Sequence, residues 1–338
     1  MTLQTIIRKL KVIWARFAEP IAAVTAEFHL PSLTFRPVNT STVYRSLFTV
    51  HFSPSTFHLP PSTLCAALLL CLLPAALLAV PRTWDGGGIN AFASNPTNWD
   101  SNTLPVAGDD IILDAASHSN MTWNMTNMTV ASWTQVGYTG TVTMATVYGA
   151  EGFTNLNITG NCIISNGVWT QIANPAVNYE SNRLSVTIGG NLIVGTGGVI
   201  NVTGKGYSAG MGPGYFGNVW NGGSYGGRGS SSGLCYGSIV APTNLGSGGM
   251  YGAGGGAILL NVLGAVSNAG LICADGILSG YGTGSGGSIR LTAGTLVGGG
   301  TIRANGGHHG GGGGRIALVV TNALADFSGV TGTISVYG

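Results

Sequence analysis

Apolar and polar positions alternate along the C-terminal half of the chain in runs too short for helices. In AILLNVLGAVSNAGLICADG from Ala257 and SIRLTAGTLVGGGTIRANGG from Ser288, aliphatic residues recur at every second position, as at Ile289 and Leu291 and later at Ile302 and Ala304. Runs of this length, rich in Val, Ile and Thr, predict β-strands. The two stretches superpose with a one-residue gap that matches Ile258 with Ile289, Leu260 with Leu291, Ile272 with Ile302, and Gly276 with Gly306. An earlier copy, VTIGGNLIVGTGGVINVTGKG from Val186, and a later one, RIALVVTNALADFSGVTGTISVYG from Arg315, extend the series to four, and the string LNITGNCIISNGVW is a more degenerate copy upstream.

A strand pair this short cannot bury its apolar face alone. Each copy must stack on its neighbours, at roughly 1.5–3 kcal/mol per buried aliphatic side chain. The predicted fold is all-β, a right-handed parallel β-helix (β-solenoid) with glycine-rich loop insertions. Gly264, Asn268, Gly276, Asn305 and Gly306 fall at its corners, where positive φ or tight packing favours Gly and Asn. A β-sandwich is the alternative, because Asp275-Gly276 and Asn305-Gly306 carry a hairpin-turn signal. Their recurrence at the same place in successive copies favours stacking.

Ahead of the repeats the pattern changes twice. Residues 64–80, LCAALLLCLLPAALLAV, form an uncharged apolar run that meets polar, glycine-rich sequence at once and predicts a signal peptide, or else a retained membrane anchor. Either places the body outside the cytosol. Residues 1–63 form an N-terminal extension in which TIIRKLKVIWARF has the spacing of a membrane-surface helix, but signal n-regions are short, so a start called too early is the simpler reading. The remaining organisation is an N-terminal cap with first β rungs over 81–155 and a repetitive solenoid over 156–338, interrupted by a long loop at 204–256.

Composition narrows the classes. Gly accounts for 57 of 338 residues and charged residues for 7%, yet 44% are hydrophobic, too many for a solvated low-complexity chain. The net charge of +2 divides into +4 over residues 1–81 and −2 over 82–338, where Lys205 is the single lysine. Such a body has no basic stripe for a phosphate backbone, which excludes nucleic acid as a partner. Cys162, Cys235 and Cys273 lack paired spacing and predict neither a disulfide framework nor a zinc site. Glycine strings of nucleotide-loop type occur by chance in a chain this rich in Gly, and no G-K-[ST] follows them.

The loop GKGYSAGMGPGYFGNVWNGGSYGGRG is too aromatic for a flexible linker. Two readings follow from Tyr207, Tyr215, Phe216, Trp220 and Tyr225: a compact loop laid over the solenoid wall, or a ligand platform for glycans or another surface polymer. Asp109 and Asp110 are weak metal candidates at the N-terminal cap; as strand neighbours they face opposite ways and cannot act as a catalytic pair. His308 and His309 read as exposed turn residues. No cofactor is expected.

From Trp84 to the end, about three quarters of the chain, the sequence resembles glycine-rich repetitive secreted or surface proteins of environmental bacteria, with autotransporter-like or haemagglutinin-like parallel β-helix passengers. The resemblance rests on TWDGGGINAFASNPTNWDSNTLPVAGDDIIL, with Trp84, Asn98-Trp99, Pro105 and Gly108-Asp109-Asp110, and on VTGKGY, GGSYGGRG, GSGGSIRLTAGTL and GGGGGRIAL. It implies a fold and an extracellular location more than an activity; the expected role is structural or adhesin-like, at the cell surface or outside the cell, without catalysis. A carbohydrate-binding or carbohydrate-active protein on the same scaffold is the alternative.

Overall fold

A computed structural model describes residues 79–145, 155–217, 222–229, 233–278 and 280–338. The N-terminal extension and nearly all of the apolar run at 64–80 lie outside the described residues. The described residues contain no α-helix; two 3-10 turns, Pro96–Asn98 and Asp100–Asn102, sit near the N-terminal end of the described body.

The described strands are β1 (Pro81–Thr83), β2 (Asp110–Leu113), β3 (Met121–Trp123), β4 (Thr129–Val130), β5 (Ser132–Gln135), β6 (Thr141–Met144), β7 (Leu156–Ile158), β8 (Cys162–Gln171) and β9 (Leu184–Ile188). They continue as β10 (Leu192–Asn201), β11 (Ala257–Val262), β12 (Ala265–Asn268), β13 (Leu271–Cys273), β14 (Ser288–Ala293), β15 (Thr295–Val297), β16 (Thr301–Arg303), β17 (Arg315–Val320) and β18 (Thr333–Ser335). The chain coils them into a parallel β-solenoid of about eight turns.

Each turn contributes to three walls. Wall one runs β1-β2-β5, through the first halves of β8 and β10, to β12 and β15; wall two runs β3-β6, through their second halves, to β13, β16 and β18. Wall three is the six-stranded sheet β4-β7-β9-β11-β14-β17. The repeat register found in the sequence is the hydrogen-bonding register: Ile258 pairs with Ile289, Leu260 with Leu291, and Ile272 with Ile302. The Asp275-Gly276 and Asn305-Gly306 dipeptides turn no hairpin. They stack at one corner, where Gly276 N donates to Asn305 O at 2.8 Å, so the sandwich alternative does not hold.

Alternation becomes a core because every second side chain points into the coil. Leu184, Ile258 and Ile289 form one inward row on wall three, and Leu156, Val186, Leu260 and Leu291 form another, all buried. The first turns are filled by larger rings. Trp123, Trp133 and Trp169 meet edge to face at centroid separations of 5.4 and 5.3 Å, and Trp84 and Trp99 meet likewise at 5.3 Å near the N-terminal end. Asn98 ties that end together, donating to Asn90 O at 2.8 Å and Phe92 O at 2.9 Å while accepting from Gly88 N at 2.7 Å.

The corner from wall three to wall one is tight and carries an amide ladder. Asn161 Oδ1 accepts from Asn191 N, and Asn191 Oδ1 accepts from Ala265 N, each at 2.8 Å. The corner from wall two to wall three instead takes four longer connections of the repeats: 172–183, 202–256, 274–287 and 304–314. Their superposition at one corner builds the feature that positions the candidate site.

Candidate ligand-binding site

The connections at this corner form a glycine-rich lobe with little regular strand and dense backbone hydrogen bonding. The stretch from Thr283 to Gly287 shows how it is made. Thr283 O accepts from Gly223 N at 2.9 Å, Ser285 N donates to Ser247 O at 3.0 Å, and Ser285 O accepts from Gly255 N at 2.9 Å. Gly286 N donates to Gly312 O at 2.9 Å and Gly287 N to Ala274 O at 2.7 Å. A sheet strand bonds to two neighbours; this stretch bonds to five residues drawn from three connections, so the bonding extends in three dimensions. Only glycine permits such approach. A Cβ at Gly284 would overlap the Ala253 carbonyl, and one at Gly255 would overlap that of Ala274.

Rings and polar groups anchor the lobe to the solenoid. Tyr207 packs with Leu245 and Ala257 in a second small core. Tyr225 is fully buried, its hydroxyl 2.7 Å from Ser288 Oγ, its ring 4.8 Å from that of Tyr236 and 5.4 Å beneath the Arg315 guanidinium. Tyr236 donates its hydroxyl to Leu245 O at 2.6 Å, and burial pushes the phenols of Tyr225 and Tyr236 above the ordinary tyrosine range. Glu180 joins the neighbouring connection, accepting from Asn244 Nδ2 and Leu245 N at 3.0 Å each while pairing with Arg183.

The five aromatic residues predicted as a platform are therefore not one surface. Tyr207 and Tyr225 are buried, Tyr215 is half-buried with its hydroxyl donating to Met250 Sδ at 3.1 Å, Phe216 is exposed, and Trp220 lies outside the described residues. The exposed rim is made by other rings. Tyr251 is 58% exposed, Tyr281 is 57% exposed, and Tyr251 N donates to Gly282 O at 2.9 Å, which brings the two residues side by side on successive turns. The His309 ring lies 5.9 Å from that of Tyr281. Both tyrosines stand in a repeated string, YGAG and YGTG, and that recurrence was the available signal for them.

Beside the rim, a groove of about 510 Å³ runs across three turns of wall two, lined by Asn201, Thr203, Asp275, Arg303, Asn305 and His308 on its polar side, with Ile277 and Leu278 at its lip. Register explains the assembly: Asn201, Cys273 and Arg303 occupy the same position on β10, β13 and β16. Asp275 Oδ1 accepts from Asn305 N at 2.7 Å, and its Oδ2 lies 2.7 Å from Arg303 Nε. Burial holds the Asp275 carboxyl above its ordinary value despite the opposing pull of Asn305 and Arg303. The Cys273 thiol, at the same register position on β13, is buried and pushed up to about 11 by that burial. A larger groove, about 800 Å³, lies against the last described turn and is lined mainly by stacking residues such as Ile316, Leu318 and Ile334.

The weak metal candidates are engaged otherwise. Asp109 Oδ2 contacts Arg82 Nε at 2.9 Å and accepts from Val106 N at 3.0 Å, while Asp110 Oδ1 accepts from Ser132 Oγ at 2.5 Å. Among the described residues no group of three or more His, Cys, Asp or Glu side chains is placed to hold a metal ion. His308 and His309 are exposed, His309 with φ of 70°. No family model, curated protein or solved structure matches the chain.

Proposed function

We propose that this chain is an exported surface or extracellular protein whose solenoid acts as a structural, adhesin-like scaffold and whose glycine lobe engages glycans or another surface polymer without catalysis. The observation that carries the reading is the rim of Tyr251, Tyr281 and His309, exposed on a lobe held rigid by its own backbone bonds. Ring faces contact sugar rings without charge, which suits a body with so few charged residues. Export is supported by the apolar run at 64–80, and a surface role by the resemblance to repetitive bacterial passengers. Glycoside hydrolysis commonly uses two carboxyl groups flanking one bond, whereas among the described residues Asp275 is the one carboxylate lining the groove, which favours binding over turnover.

The test is a Tyr251→Ala, Tyr281→Ala double variant assayed on a panel of immobilised glycans beside the unaltered protein. Retention should fall while the melting midpoint stays close to the original, because exposed rings contribute little to stability. Unchanged retention, or no retention of any polymer by the unaltered protein, would refute the reading.

A further inference from the structure

We infer that the groove over wall two is a subsite for a carboxylate-bearing sugar unit, so that the preferred polymer is an acidic glycan. This deepens the glycan-binding reading above and rests on it. The groove carries more hydrogen-bond donors than acceptors. Asn201 Oδ1 already accepts from Thr203 N at 2.8 Å, and Asn305 Oδ1 from Tyr337 N at 2.9 Å, so each amide keeps its NH2 group for a ligand. The Arg303 side chain is 41% exposed and lines the groove; its ion-pair partner among the described residues is Asp275, which approaches Nε, and its guanidinium also bonds the Cys273 thiol, within a fork of five N–H donors. The Arg303 Nε–H itself is buried without an aligned acceptor.

Against these donors stands one carboxylate acceptor, Asp275, already engaged by Asn305 N and Arg303. A neutral sugar's hydroxyls can accept from these donors, but each also carries an O–H that needs an acceptor of its own and none brings the negative charge that complements a guanidinium. A carboxylate is acceptor-only and meets a guanidinium in parallel hydrogen bonds. Asp275 opposes a second anion, but less than an ordinary carboxylate would, because burial already holds it above its ordinary value. The groove's volume of about 510 Å³ and its course across three turns suit a short stretch of polymer.

The probes are an oligogalacturonate and its fully methyl-esterified counterpart, titrated calorimetrically into the full-length chain at low and moderate salt. The acid should bind about tenfold or more tightly than the ester, the advantage expected of a charge-assisted contact, and should weaken with salt. Arg303→Gln should erase that advantage, and Asp275→Asn, which removes the competing carboxylate, should preserve or raise it. Equal affinity for acid and ester in the unaltered protein overturns the inference without needing any variant. If Arg303→Gln retains the full preference for the acid, the groove is not its source and the inference is equally overturned. Binding of the ester alone, lost in the Tyr251→Ala, Tyr281→Ala variant, overturns the inference but keeps the glycan reading. Binding of neither probe, with no retention on the glycan panel, removes both.

Discussion

Replacing Gly284 with alanine separates a packed glycine lobe from a flexible glycine loop by the sign of the effect. In a loose loop the substitution would stabilise by about 0.4–1 kcal/mol, since alanine has less unfolded-state entropy to lose. Here the new Cβ would overlap the Ala253 carbonyl, an acceptor for Ile277 N at 2.9 Å. Gly284 O also accepts from Gly307 N at 2.9 Å. Overpacking of this kind costs ~1–3 kcal/mol, and loosening two backbone bonds adds ~1 kcal/mol each, giving about 3–5 kcal/mol in total. For a body of this size that lowers the melting midpoint by roughly 6–20 °C. Gly280→Ala is the control, because a Cβ there meets nothing within 4 Å. Thermal unfolding followed by circular dichroism, with both variants and the parent under one set of conditions, reads the difference. A Gly284→Ala midpoint equal to or above that of the parent would refute the packed-lobe argument.

Two further outcomes follow from the core. Trp133 Nε1 is buried without an acceptor whereas Trp169 Nε1 donates to Gln135 Oε1 at 3.0 Å, so Trp169→Phe should destabilise more than Trp133→Phe by about 1–3 kcal/mol in denaturant unfolding, and the reverse order would contradict the assignment. Tyr138, buried and donating to Ser119 O at 2.9 Å, is pushed up to about 12, above its unfolded value near 10. Its contribution is thus intact below about pH 10 and lost as pH rises towards and through 12; melting midpoints should fall over that window, and Tyr138→Phe should flatten the fall.

Much of the solenoid was legible in the linear chain. Alternation with period two predicts strands, and the match of Ile258 with Ile289 and of Ile272 with Ile302 predicts which strands lie against each other. Both signals are carried by side chains whose burial repeats from turn to turn, so they survive in a one-dimensional reading. The corner glycines were legible as recurrent breaks in that pattern, although Gly264, Gly276 and Gly306 are required there by close approach of other segments and not by positive φ.

The site was legible only in part. The aromatic content of 204–256 marked the region, but nothing in the string distinguishes Tyr225, buried beneath Arg315, from Phe216, exposed nearby. That distinction depends on which segments close over each ring, and those segments are joined through glycine backbones, which have no side-chain pattern to read. The groove was missed because Asn201, Asp275 and Arg303 are far apart in sequence and unremarkable singly; only stacking brings them together. The sequence alone determined the strands of the repeat copies, their register and the positions of the glycine breaks, because those follow from periodic burial. Tertiary structure alone decided that the long connections share one corner, which rings they bury, and which polar groups they leave facing a ligand, because those outcomes rest on contacts between backbones distant along the chain.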